Sequence, residues 1–96
     1  MSRYFTRTGE PMTLMQWALE FESHDNHVAE DLVDGVRVST VWLGLDHSFG
    51  GPVPLIFETM VFGGPNDEFC ARYSTEQQAR EGHTRTVAAI RAGESL

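Results

Sequence analysis

"VAEDLVDGVRVSTVWLGLD", residues 28–46, decides the fold class of this chain. Two runs rich in β-branched residues flank Asp34-Gly35, a favoured two-residue turn of an antiparallel hairpin. The spacing predicts strands over 28–33 and 36–46. In the second strand Val36, Val38, Thr40 and Trp42 alternate onto one face, and Val41, Leu43 and Leu45 onto the other. Apolar character on both faces near 41–45 predicts a central strand covered on both sides.

A matching run lies at 54–62, with Leu55, Phe57 and Val61 on one side and Ile56, Met60 and Phe62 on the other. It should pair antiparallel with 36–46 across the 47–53 loop. Shorter strands are expected at 3–7 and 68–73. Thr13, followed three residues later by Gln16, has capping-box spacing. Leu14, Trp17, Ala18 and Phe21 then share one helical face, predicting a helix over 13–22. Ser74 or Thr75 caps a second helix over 75–91, with Ala79, His83, Val87 and Ile90 as its inward stripe. Gly82 beside that stripe allows close approach to a sheet. Residues 1–96 are expected to form a single α+β domain: a four- to five-stranded, mainly antiparallel sheet with one helix near each end of the chain.

Hydrophobic residues make up 41% of the chain and charged ones 22%, a globular composition. Fourteen acids face seven bases, giving a net charge of −7, and all seven bases are arginine. Arginines 3, 7, 37, 72, 80, 85 and 91 form no run, which argues against a nucleic-acid polymer or a membrane surface as partner. A small anion could still bind through a local cluster, because net charge does not fix the potential inside a pocket. Cys70 is the single cysteine, so no internal disulfide forms. The opening MSRYFTRTGE lacks the apolar stretch of a signal peptide, and the runs VWLGL and PVPLIF are too short to span a bilayer. A cytoplasmic setting is expected. Phosphate loop, dinucleotide fingerprint and nucleophile elbow are all missing, and no cofactor is expected. His24 and His27, three apart without a cysteine or a second pair, are a weak metal signal, and no metal is expected.

The candidate site lies in "DHSFGGPVPLIFETMVFGGP", residues 46–65, where Phe-Gly-Gly-Pro occurs twice. Each copy suits a turn, but only the first follows an Asp-His pair. The expected ligand-binding rim is Asp46, His47, Phe49, Gly50 and Gly51, supported by Glu58, Thr59 and His83. Phe49 would stack on a flat ligand, the glycine N–H groups would receive an anionic oxygen, and Asp46 or His47 would hydrogen-bond a base or sugar. The second copy is expected only to turn the chain, with Phe62 ending a buried strand. Glu58, amid apolar neighbours, either lies on a solvated face, meets an arginine such as Arg37 or Arg72, or is buried with a raised pKa. His83 is either a satisfied core histidine or part of the site.

The stretches "STVWLGLDHSFGGPVPLIFETMVFGG" (39–64) and "YSTEQQAREGH" (73–83) resemble a small family of uncharacterised proteins from actinobacterial phages and prophages. The resemblance brings no established activity. It implies a phage-type gene product, a setting in which small acidic proteins inhibit or sequester host components. The leading expectation is a non-enzymatic binding protein that sequesters a small ligand, such as a nucleotide-like host immune signal, or inhibits a host protein. The alternative is a small hydrolase or metal-dependent enzyme using Asp46, His47, Glu58 and His83, which requires those four groups to converge. Apolar residues on both faces of the long strands exceed what two short helices cover, so a homo-oligomer is expected.

Overall fold

A computed structural model describes residues 2–23 and 25–96. In chain order the elements are β1 (Tyr4–Phe5), β2 (Pro11–Met12), α1 (Leu14–Ser23), β3 (His27–Val33), β4 (Val36–Trp42), β5 (Phe57–Phe62), β6 (Cys70–Tyr73) and α2 (Glu76–Arg91). The fold is α+β, with a helix near each end as the sequence predicts. β3-β4-β5-β6 form an antiparallel four-stranded sheet in chain order, and β1 and β2 form a separate two-stranded hairpin. Asp34 and Gly35 both take left-handed backbone, at φ 51° and 81°. That is the turn whose twist matches the flanking strands.

One face of the sheet carries α2. Val38, Thr40, Phe57, Thr59 and Val61 are fully buried there, facing Ala79, His83, Thr86 and Val87 of the helix. α2 begins on a full capping box, with Thr75 and Gln78 satisfying each other's backbone N–H groups. Gly82 fits under Tyr73 of β6, where a methyl group would lie only 2.2 Å from the phenol oxygen. The near end of the core continues into the N-terminal hairpin. Met12, Val28, Trp42, Ile56, Phe57 and Ala79 cluster with Tyr4, Phe5 and Trp17. The ion pair Arg7–Glu76 at 2.9 Å ties the hairpin to α2, and Arg80 braces the same carboxylate.

Four details depart from the sequence reading. β4 ends at Trp42 rather than at 46, because Gly44 turns the chain at φ 73°. Residues 43–47 then bond to Leu55, Ile56, Arg3 and Phe5 as an irregular continuation. β5 starts at Phe57, since Pro52 and Pro54 have no N–H to give a ladder. Ile56, just before it, turns into the core with 1% exposure instead of sharing a face with Met60 and Phe62. α1 has no fully buried residue: Trp17 and Ala18 are half-buried, while Leu14 stays 58% exposed.

The expectation of a doubly covered sheet is also corrected. Arg37 pairs with Glu30, and Arg72 with Glu58, on the face turned away from α2, interleaved with Leu32, Val41, Met60 and Phe62. The elements packed against the sheet leave that face open. Phe62 is accordingly 40% exposed, with the Arg37 guanidinium 4.4 Å above its ring, and does not end a buried strand.

Candidate functional site

Asp46 organises the quoted loop. Its carboxylate accepts hydrogen bonds from the Ser48 N–H (2.7 Å), the Ser48 hydroxyl (2.9 Å) and the Leu55 N–H (3.0 Å). Its own N–H donates to the Arg3 carbonyl, and His47 N–H donates to the Leu55 carbonyl. The side chain thus closes a connection of some ten residues, while the backbone N–H holds the N-terminal segment beside it. Burial pushes the Asp46 carboxyl up, but the bonds from Leu55 and Ser48, with the nearby His47, outweigh it and hold the group below its ordinary value.

The stabilisation from that lowered value is complete above the ordinary aspartate range, about pH 4, and is lost as pH falls through the folded-state value. The loop should therefore stay locked at neutral and mildly acidic pH. Asp46→Ala should cost roughly 1–3 kcal/mol, because it orphans three donors at once. Hydrogen exchange checks this directly: the Ser48 and Leu55 amides should lose protection in the variant while the β4–β5 ladder keeps it.

Beyond Asp46 the loop rises to Phe49, whose ring is 89% exposed although its backbone sits in left-handed space at φ 54°. An aromatic residue there is uncommon and strained. Its nearest aromatic neighbour is His47, edge-on at 6.4 Å. Beneath it Ser2, Arg3, Leu45, Asp46, His47, Phe49 and Gly50 line an open pocket of about 420 Å³. Gly51 lies at its margin, exposed, with its N–H bonded to the Ser48 carbonyl.

The second Phe-Gly-Gly-Pro is built differently. Gly63 and Gly64 take the left-handed positions there, at φ 97° and 68°, whereas Phe49 and Gly50 take them in the first copy. The anchoring carboxylate explains the shift in register. Asp46 precedes the first tetrapeptide and grips Ser48, while Asp67 follows the second and accepts from the Gly63 N–H at 2.8 Å.

The structure brings together Asp46, His47, Phe49 and Gly50, with Gly51 next along the loop, and separates Glu58, Thr59 and His83 from them. Thr59 is fully buried beneath α2. Glu58 points the opposite way and meets Arg72 at 3.0 Å, one of the two arginines the sequence offered for it. His83 is 4% exposed and engaged at both nitrogens, by Thr40 Oγ1 and by Asp31 Oδ2, each at 2.7 Å. Thr40 in turn lies 2.6 Å from the Thr59 hydroxyl. With a neutral imidazole every proton in this chain has an acceptor: Nε2–H donates to Asp31, Thr40 donates to Nδ1, and Thr59 donates to Thr40. Asp31, His83 and Thr40 have the carboxylate–imidazole–hydroxyl order of a hydrolase relay. Thr40, however, has no exposed surface for a substrate to reach.

The four groups required by the hydrolase reading do not share a pocket. Asp46 and His47 line one; His83 lines another, with Asp31 and Arg91; Glu58 lies across the sheet. Of the His24–His27 pair, His24 lies outside the described residues, and His27 Nδ1 is engaged with Asp25. No cluster of three or more metal-ligating side chains occurs among the described residues. No described helix is long and apolar enough to cross a membrane.

Two participants escaped the sequence reading. Arg3 reaches the pocket through backbone pairing of the N-terminal segment, its carbonyl with Asp46 and Tyr4 opposite Leu45, for which the sequence carries no signal. Asp31 did leave one: it shares strand parity with Ala29 and Val33, the side that meets the helix. Comparison of the chain with protein-family models, curated proteins and solved structures finds no match.

Proposed function

We propose that this chain is a non-enzymatic, phage-type binding protein that sequesters a small planar anion, nucleotide-like in chemistry, at the 46–51 loop. The observation that carries the reading is Phe49: a large apolar ring held in solvent, on strained backbone, by a loop locked from below. Folding gains little from that arrangement, whereas a ligand gains a pre-organised stacking face. Arg3 beside it supplies the positive charge that a chain of net charge −7 otherwise withholds from an anion. Asp46, committed to three donors, serves as the loop's lock, which leaves His47 as the hydrogen-bonding group for a base or sugar. The phage setting rests on the resemblance of residues 39–64 and 73–83. A host protein presenting an aromatic-binding cleft is the other occupant the exposed ring would suit.

The test is Phe49→Ala. Stability should change by less than about 0.5 kcal/mol, because the ring has almost nothing to lose. Phe49→Gly should stabilise the chain by up to about 1 kcal/mol by relieving the left-handed backbone. Native mass spectrometry of the natural chain, purified from phage-infected cells, should show a retained small-molecule mass that both variants lack. A retained mass that survives both variants would place the ligand elsewhere. An unfolded Phe49→Ala would make the loop a structural turn.

A further inference from the structure

We infer that the uncovered face of the four-stranded sheet is a docking surface for a second copy of this chain. This face lies apart from the 46–51 loop. Cross-strand register sets Leu32, Arg37 and Phe62 in one row, and Val41, Glu58 and Arg72 in another, with Met60 between them. Leu32 is 76% exposed and Phe62 40%, and the Arg37 guanidinium stacked on Phe62 extends the apolar platform.

Charge selects the occupant. A chain of net charge −7 repels its own copies over most of its surface. On this face the balance is even, because Glu30 is matched by Arg37 at 2.8 Å and Glu58 by Arg72 at 3.0 Å. Two copies related by a two-fold axis could bring these faces together without net repulsion, and each arginine could reach a partner carboxylate as well as its own. Another exposed apolar surface, Leu14, Met15 and Leu19 on α1, carries the acidic Glu22 and no arginine on its helix, which disfavours self-contact there.

Area sets the strength. Four strands about 4.8 Å apart, of seven, seven, six and four residues, give a patch of at most roughly 20 by 20 Å, so a pair of patches would bury on the order of 800–1,000 Å². That falls at the lower edge of specific interfaces and implies a micromolar rather than a nanomolar dimer, packed sheet on sheet.

Sedimentation velocity of the full chain, from low-micromolar to several hundred micromolar, should show a monomer–dimer equilibrium. Over the same range, maleimide labelling of Cys70, which lies on this face opposite Met60, should slow as the dimer forms. Labelling belongs at mildly alkaline pH, since burial and the Glu58 charge push the thiol up. Leu32→Glu, at an exposed hairpin position, should weaken the dimer at least tenfold, whereas Leu19→Glu on α1 should leave it unchanged. Phe49→Ala should also leave it unchanged, which separates this inference from the proposed ligand site. A monomer at every concentration would overturn the inference. So would a dimer that leaves Cys70 labelling constant, or one broken by Leu19→Glu and not by Leu32→Glu.

Discussion

Replacing Gly44 with alanine is expected to destabilise the chain by about 2–5 kcal/mol, a large part of what a domain of this size has. Two costs combine. At φ 73° any Cβ meets the left-handed penalty of roughly 1–2 kcal/mol. The new methyl group would also lie 2.6 Å from Trp17 Cδ1 and Nε1 and from Trp42 Cζ2, so two indoles crowd the glycine. Both rings are anchored by hydrogen bonds. Trp17 is held by its Nε1–H bond to the Leu43 carbonyl at 2.9 Å, and Trp42 by donating to the Phe5 carbonyl. Overpacking of this kind costs typically 1–3 kcal/mol. Gly50→Ala supplies the control: its φ is 89°, but no atom lies within 4 Å of the point its new methyl group would occupy. It should show the backbone penalty alone. Urea midpoints of the two variants separate strain from crowding, and equal losses would show that the tryptophan packing is not tight.

Gly44 also marks where the sequence stopped being legible. The hairpin at Asp34-Gly35, the capping box at Thr75 and the alternation of Val36, Val38, Thr40 and Trp42 depend on neighbours within a few positions, and the structure reproduces them. Gly44 depends on Trp17, twenty-seven residues earlier, and a glycine within an apolar run reads locally as strand. The same limit applies to Ile56, whose facing is set by the irregular entry to β5 rather than by alternation. Phe62 looked like core because an isolated strand does not reveal which of its faces the helix covers. In the candidate site, Asp46, His47, Phe49 and Gly50 were legible as a cluster because they are contiguous. Arg3 was not, and neither was the separation of Glu58 from Thr59, although period-two alternation requires adjacent strand residues to face opposite ways. Naming both as supports of one rim conflicted with that alternation.

The second large effect concerns the buried polar chain, where single and combined substitutions should part company. Thr40→Val keeps the side chain's volume but removes the central hydroxyl. It leaves His83 Nδ1 without a donor and the Thr59 hydroxyl without its acceptor, both beneath α2. Two unsatisfied buried groups at roughly 1–3 kcal/mol each predict a loss of about 2–6 kcal/mol from a near-isosteric change. Thr40→Val, Thr59→Val and His83→Leu combined remove every polar group of this chain beneath the helix, leaving only Asp31, which is half-exposed and can turn to water. Apolar replacement of an entire network is often close to neutral. The triple variant should therefore recover most of the loss, an interaction energy well outside additivity. Chemical denaturation of the four variants measures it. The outcome also bears on function. If Asp31, His83 and Thr40 serve as a latch between helix and sheet, the triple variant should fold and still retain whatever mass the natural chain carries at the 46–51 loop. If the three groups form a catalytic relay that opens in solution, the triple variant should be stable and keep that mass but should lose any ester-hydrolysing activity the natural chain shows. Recovered stability with retained ligand and no activity lost would assign the histidine to architecture and leave the loop as the site.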